Sequence, residues 1–275
     1  MTLNQKGHYS GGKVVICGQS VYCYFFDKII FEKREKNTES EKEKTVSDPM
    51  TSFYRSKSKA EKIIKCNAWQ WFHDYKKPFL PVFLTLTFAD NVQDLTEANR
   101  KYSKFIQRLN YEIFNEKKAR LQYLGVVEFQ KRGAIHYHVI FFNLPFIKNV
   151  YEVWNEGRID LKGVKSMRGL TIYLSKYMVK EAEDGRLKGR KRYFTSRKIY
   201  RPIVIKNYLV AKRICDVLKD RLKCKKSFEV DFIGEIDFYS YLLKDDENIL
   251  DFNLDHFSRL EIELGIKKQQ EKINL

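Results

Sequence analysis

Two histidines separated by one residue stand inside an apolar stretch near the middle of the chain. The segment reads IHYHVIFF and contains His136 and His138. Alternate residues of a β-strand point to the same face, so both imidazoles would leave one face about 7 Å apart. Two imidazoles in that arrangement can chelate one cation. The alternative is that the pair is ordinary polarity on an exposed strand.

A carboxylate can join the two histidines if the preceding strand pairs with theirs in a suitable register. With a three-residue loop, Arg132 to Ala134, Glu128 would lie opposite His138 and share its face. A two-residue loop would turn Glu128 away. Histidine and carboxylate ligands with open positions suit Mg²⁺ or Mn²⁺ acting on phosphate oxygens.

A second group of reactive side chains lies in the downstream segment YLSKYMVK. A helix would gather its residues at i, i+3, i+4 and i+7 onto one stripe, and these are Tyr173, Lys176, Tyr177 and Lys180. A phenol is almost fully protonated at neutral pH, so a tyrosine nucleophile needs a nearby cation, which a lysine one turn away provides. The stripe therefore predicts a surface that attacks phosphate. The alternative is an amphipathic helix with a tyrosine core stripe and lysines that extend to solvent.

The elements that must position these residues follow from periodicity. Alternation of apolar residues predicts strands, and apolar residues at helical spacing after a D-x-x-E capping signal, Asp94 to Glu97, predict a helix. This order predicts an α+β fold with an antiparallel sheet of about five strands and helices on one side. The predicted elements are the strands Val82 to Phe88, Tyr123 to Gln130 and Ile135 to Phe142, and the helices Arg100 to Asn115 and about Met167 to Glu181.

The motifs FLTLTF, VVEFQKRGAIHYHVIFF and YLSKYMVK, in this order, resemble those of the HUH endonucleases, specifically the rolling-circle replication initiators of small plasmids and single-stranded DNA phages. The resemblance covers roughly Phe79 to Glu181. It implies an HUH or RRM-like palm, a divalent metal held by the two histidines with Glu128, and the nucleophile role for Tyr173 and Tyr177. The presence of both tyrosines resembles the motif of the two-tyrosine branch of the family.

The resemblance implies an enzyme that nicks single-stranded origin DNA, leaving a 5′-phosphotyrosine link and a free 3′-OH for host polymerase, with Lys176 and Lys180 stabilising charge. A host helicase would be needed, because the sequence contains no GxxxxGK[ST] phosphate loop. Two alternatives remain. One is a two-tyrosine single-strand transposase or mobilisation relaxase, and the other is a basic nucleic-acid-binding module without catalysis.

The charge distribution indicates a polyanionic partner, with single-stranded and duplex origin DNA as the predicted ligands. Lys and Arg exceed Asp and Glu by 17 over 275 residues, and neutralising phosphates releases counterions. Residues 183–226 carry a net +12 and interleave cations with rings, which predicts DNA contacts unless the segment is only a solvated loop. The predicted contacts are Arg190, Lys191, Arg192, Tyr193, Arg197 and Lys198.

Composition also divides the chain. Residues 1–50 are predicted to hold one apolar strand, Val14 to Phe26, and a charged linker, Glu32 to Asp48. The resemblance implies that residues 51–182 form the HUH endonuclease domain. Residues 183–226 form a basic DNA-binding segment, and residues 227–275, with a net charge of −7, an acidic C-terminal element.

Apolar runs and cysteine usage predict the compartment. The longest apolar runs are far shorter than the roughly 20 residues of a membrane-spanning helix. The five cysteines are odd in number and never form a CxxC pair, so neither a disulfide framework nor a cysteine zinc site is indicated. We therefore expect an intracellular protein with reduced thiols and no membrane partner, and the resemblance implies the bacterial cytoplasm.

Overall fold

A computed structural model describes residues 11–26, 49–73, 81–145, 150–164, 177–178, 186, 192–230, 234–244 and 246–274, with backbone alone at 49–52, 69–73 and 274. Its strands are β1 Gly12–Cys17, β2 Ser20–Phe26, β3 Val82–Phe88, β4 Tyr123–Phe129, β5 Ile135–Phe141, β6 Gly157–Gly163, β7 Phe194–Thr195, β8 Ile203–Ile205, β9 Leu222–Val230 and β10 Gly234–Leu242. Its α-helices are α1 Pro49–His73, α2 Leu95–Phe114, α3 Val150–Trp154, α4 Tyr208–Val217 and α5 His256–Asn274.

The chain folds into two units. The terminal unit comprises Met1–Val46 and Pro202–Lys272, and the central unit comprises Ser47–Arg201 with Ile273–Leu275. Each contains a five-stranded antiparallel sheet, in the order β8-β1-β2-β10-β9 in the terminal unit and β6-β3-β5-β4-β7 in the central unit. The predicted α+β class is confirmed.

Helices cover the central sheet on both faces, so the prediction of helices on one side is wrong in this detail. The double covering explains why β5 reads as a nearly continuous apolar run. All seven residues of β5 are buried. Ile135, Tyr137 and Val139 pack into one core with α2 and α3. Ile140 on the opposite face packs into a second core with α1. The two histidines alternate with the first set, so they lie on the α1 face.

Helix α2 begins at the capping signal read from the sequence. The Asp94 side chain accepts hydrogen bonds from the backbone N–H groups of Thr96 and Glu97, and the helix ends at Asn115, whose φ of 50° is left-handed. The ring of Tyr102 on α2 stacks on Tyr137 of β5 with centroids 4.6 Å apart. The helix thereby fixes β5 from the face opposite to the histidines.

The prediction of a single strand from Val14 to Phe26 is wrong. The segment is a hairpin in which β1 pairs with β2 and Cys17 lies opposite Ser20. Gly18 turns the chain with a φ of 57°, a conformation that costs glycine little because it has no Cβ. The apolar residues on both sides of Gly18 hid this break in the sequence.

The segment boundaries predicted from charge do not coincide with the boundaries of the two folded units. The basic segment 183–226 contributes β7 to the central sheet, whereas its later part forms β8, α4 and most of β9 of the terminal unit. Within the acidic end, β10 lies between β2 and β9. The predicted linker Glu32 to Asp48 lies outside the described residues, as does the predicted helix Met167 to Glu181 apart from Tyr177 and Met178.

Among the described helices, none has both the length and the apolar character required to cross a bilayer.

Candidate active site

The hairpin of β4 and β5 places Glu128 directly opposite His136. The predicted pairing of Glu128 with His138 is therefore wrong by two residues. The cause is a longer loop, Gln130 to Ala134, which is closed by hydrogen bonds from the Gln130 N–H to the Ala134 carbonyl (2.8 Å) and from the Gly133 N–H to the Gln130 carbonyl (2.7 Å). Because side chains alternate with a period of two, this shift leaves Glu128 on the histidine face.

His138 is held at both ring nitrogens. Its Nε2 lies 2.5 Å from Oε2 of Glu128, and its Nδ1 lies 3.1 Å from the hydroxyl of Thr85, the residue opposite it on β3. His138 is only 3% exposed. A buried imidazole with a partner on each nitrogen has its ring orientation fixed.

His136 is less fully engaged. Its Nδ1 makes long contacts with the hydroxyl of Thr87 (3.5 Å) and with Nε2 of Gln130 (3.4 Å). Its Nε2 is buried and has no hydrogen-bond partner in the described part of the chain. Burial lowers the pKa of His136, and the charge of nearby His138 adds to that shift. Loss of water disfavours the imidazolium, so the neutral ring is favoured.

The donor types fit a hard divalent cation, and the unpaired Nε2 of His136 is a buried polar atom that such an ion would satisfy. Within the described residues, however, no three His, Cys, Asp or Glu side chains form a ready-made metal group. Glu128 and His138 instead bond to each other. A cation held by these residues would therefore replace that hydrogen bond with coordination to both partners.

Tyr177 lies against His138. Its ring stacks on His138 with centroids 3.5 Å apart and an interplanar angle of 20°, and Phe83 of β3 lies 6.1 Å from the same ring. Met178, the next residue, is buried in the core of this face, as its apolar character predicts. The structure brings Tyr177 to the site, whereas Tyr173, Lys176 and Lys180 lie outside the described residues.

Two arginines surround the hairpin loop next to His136. Arg132 Nε donates to Oε1 of Gln130 over 3.1 Å. Arg186 donates to the Gly133 carbonyl over 3.2 Å, and its guanidinium carbon lies 3.7 Å from the ring centroid of Phe129. The basic segment thus contacts the tip of the hairpin that carries the two histidines and brings positive charge close to them.

The predicted DNA contacts that the structure describes lie around β7, the edge strand beside β4. Arg197 is exposed, and Arg192 and Tyr193 are half-buried. Burial raises the pKa of Tyr193. Partial burial lowers the pKa of Lys198, and nearby Lys118 and Arg120 lower it further. Arg190 and Lys191 lie outside the described residues.

Sequence reasoning did not assign the residues that orient the two histidines. They are Thr85 and Thr87 of β3, together with Gln130 at the hairpin. The alternation in FLTLTF identified a polar face, but it did not identify the strand that this face would meet. Pairing of β3 with β5 places the two threonines opposite His138 and His136.

Comparisons with known proteins point to replication. Residues 81–182 match a family model whose description begins Replication-associated protein ORF2. The chain is 26% identical over 173 residues to the Phasyl DNA replicon protein arp of Escherichia coli; the alignment covers 51% of this chain and 59% of that protein. No solved structure matches. The matched segment contains the hairpin, both histidines and Tyr177.

Proposed function

We propose that this protein is a replication initiator that nicks single-stranded origin DNA by metal-assisted transesterification. The observation that supports it most directly is the Tyr177 ring stacked 3.5 Å from the ring of His138. The ring of a candidate nucleophile thus lies beside one of the two imidazoles proposed to bind the cation. The same segment, residues 81–182, is similar to replication-associated proteins.

In the proposed reaction, the phenol oxygen of Tyr177 attacks the scissile phosphorus. A bond forms between that oxygen and phosphorus, the bond to the 3′-oxygen breaks, and the phenol proton is lost while the 3′-oxygen takes up a proton. One phosphoester replaces another, so the step is reversible and leaves a 5′-phosphotyrosine link and a free 3′-OH. Tyr173 would provide a second nucleophile, and Lys176 and Lys180 would stabilise developing charge.

His136, His138 and Glu128 would hold Mg²⁺ or Mn²⁺, which would polarise the phosphate oxygens when bound. The protein itself supplies the orientation. Thr85 would hold the His138 ring through its contact with Nδ1, and the arginines at the hairpin tip would attract the phosphate. The free 3′-OH would serve host polymerase, with a host helicase separating the strands.

The test is formation of a denaturation-resistant adduct between the protein and a single-stranded origin oligonucleotide in the presence of Mn²⁺. We expect the adduct to be lost in the double variant Tyr173→Phe, Tyr177→Phe and in His138→Ala. Matched controls are Tyr111→Phe and His256→Ala, which alter exposed residues on other elements and should leave the adduct intact.

An adduct that persists in the double tyrosine variant would refute the proposed nucleophiles. DNA binding without metal dependence and without any adduct would favour a non-catalytic basic module. Cleavage of mobile-element ends in place of a replication origin would favour a transposase or relaxase with the same chemistry.

A further inference from the structure

The terminal unit contains an open cleft of about 600 Å³ between α4 and β10. One wall is a single face of α4 and the turn after it, with residues spaced like successive helical turns: Tyr208, Lys212, Asp216 and Lys219. The other wall is made of alternate residues of β10, Asp237, Tyr239 and Tyr241. The volume lies within the range of ligand sites in proteins.

The cleft is lined by aromatic rings. The ring of Phe25 on β2 meets Tyr208 edge-on at 5.6 Å and Tyr239 edge-on at 5.7 Å. Tyr208 is 47% exposed, whereas a tyrosine that served only to fill the hydrophobic core would be buried. Rings left open to solvent in a concave site indicate a ligand that has a flat apolar surface.

Charge around these rings favours an anion. Asp216 lies 3.9 Å from Lys219, whereas Asp237 accepts a hydrogen bond from the neutral Ser227 hydroxyl and keeps its negative charge. With Lys212 and Lys225 counted, the lysines beside the rings exceed the carboxylates by one. Lys212 is exposed and has no acidic partner among the residues that the structure describes. Lys225 of β9 places its ammonium 5.4 Å from the centroid of Tyr239. Positive charge beside the exposed Tyr208 and the half-buried Tyr239 matches the phosphate and base of a nucleotide.

We propose that this cleft binds unpaired nucleotides of a DNA strand, with a base against Tyr208 or Tyr239 and phosphates on Lys212 and Lys225. The identity of the ligand rests on the proposed function. A duplex hides its base faces, so the ligand is single-stranded. A strand fits better than a free nucleotide because the exposed Lys225 lies on β9 outside the cleft lining, and exposed Lys223 follows along the same edge strand.

Cys215 provides a direct probe of the cleft. It lines the cleft and is half-buried, and hydrogen bonding with Cys23 and then with Tyr241 lowers its pKa. It should therefore react with iodoacetamide. Cys224 is also half-buried but does not line the cleft, and it serves as the internal reference. The other three cysteines are buried.

The experiment follows alkylation of Cys215 and Cys224 in the full-length protein by peptide mass spectrometry, without divalent metal. A mixed-sequence single strand at about ten times its Kd should slow alkylation of Cys215 about tenfold and leave Cys224 unchanged. Equal protection by a mononucleotide or by duplex DNA would overturn the proposal of a single-strand site, and so would protection of neither cysteine.

Variants test the same cleft by affinity. Tyr239→Ala should weaken single-strand binding roughly 5- to 100-fold, whereas Tyr239→Phe should retain it because stacking needs only the ring. Lys212→Ala removes an exposed cation that the fold does not need, and it should reduce the salt dependence of binding. Lys267→Ala, an exposed lysine on α5, is the matched control and should change neither quantity. No loss in Lys212→Ala would contradict the proposed phosphate contact.

Failure of this inference is distinguishable from failure of the nicking proposal. Protection of Cys215 with no tyrosine adduct would retain the cleft as a DNA site and refute the nicking reaction. An adduct without protection would leave the nicking proposal standing and refute the cleft alone.

Discussion

His138 is fixed by its neighbours before any ligand arrives. Thr85 and Glu128 occupy its two ring nitrogens and Tyr177 covers one ring face. Such partners set the orientation and basicity of a metal-binding imidazole. Thr85 is neutral and is not a proposed metal ligand, whereas Glu128 is. A substitution of Thr85 therefore tests the orientation of His138 without removing the anionic ligand.

Replacing Thr85 by valine should weaken metal activation without removing the proposed ligands. The valine keeps the β-branched shape on β3 but loses the contact with Nδ1 of His138. We expect the Mn²⁺ concentration for half-maximal adduct formation to rise roughly 10- to 100-fold. Thr96→Val, at an exposed position of α2, is the control. An unchanged Mn²⁺ requirement in Thr85→Val would argue against this orienting role.

Another residue-scale prediction concerns Glu247 in the terminal unit. The Arg221 guanidinium, with the Lys244 N–H, lowers the pKa of Glu247 from 4.5 to about 2. The folded pKa lies below the unfolded one, so the carboxylate stabilises the fold above pH 4.5, and this contribution disappears as the pH falls toward 2. We expect Glu247→Gln to lower the urea midpoint most at neutral pH, with the difference from wild type closing on acidification. Glu271→Gln on α5 should show no such convergence.

At the element scale, the edge strand β7 depends on a close approach at β4. A Cβ on Gly125 would lie 2.4 Å from Cζ of Phe194. The Phe194 ring cannot swing away freely because it packs among other rings, with Tyr102 at 5.2 Å and Tyr137 at 6.0 Å. Glycine at this position therefore allows β7 to pair with β4 and to carry its basic flanks along the sheet edge.

Gly125→Ala should destabilise the protein by about 1–3 kcal/mol through overpacking. Gly163→Ala is a matched control at the end of β6 in the same sheet, because a Cβ there meets no atom within 4 Å. Its effect should stay within about 0.5 kcal/mol. Urea unfolding of the two variants measures the difference, and equal midpoints would contradict the steric argument.

At the scale of the whole molecule, the net charge of +17 is shared by two units. Cations meet the hairpin tip and the β7 edge in the central unit, and others line the cleft in the terminal unit. Positive charge is therefore spread over several surfaces, while the proposed chemistry is restricted to one. We therefore expect the affinity for DNA to fall steeply as the salt concentration rises. Replacement of any single lysine or arginine should change nicking much less.

The exposed Arg197 beside β7 tests this distribution. If its guanidinium neutralises one phosphate, Arg197→Ala should reduce the slope of log K against log salt for single-stranded DNA by about 0.7. Lys268→Ala on α5 should leave the slope unchanged. The slope comes from anisotropy titrations over a salt series, and an unaltered slope in Arg197→Ala would remove this residue from the DNA interface.

The sequence alone determined the face that the histidines share, the cap of α2 and the α+β class, because these depend on local alternation, spacing and hydrogen bonding. It also identified Tyr177 and Glu128 as candidates. It misjudged the hairpin register and missed the break at Gly18, because apolar periodicity does not report where a loop closes. Glu128 stayed on the right face only because the error was an even number of residues.

Only the tertiary structure decided which side chains meet. The pairing of β3 with β5 places Thr85 opposite His138. Tyr177, which lies 39 positions further along the sequence, stacks on the same ring. The cleft between α4 and β10 likewise joins residues that no local pattern relates. Such contacts come from packing of distant segments into shared cores, whose geometry is set by the whole fold.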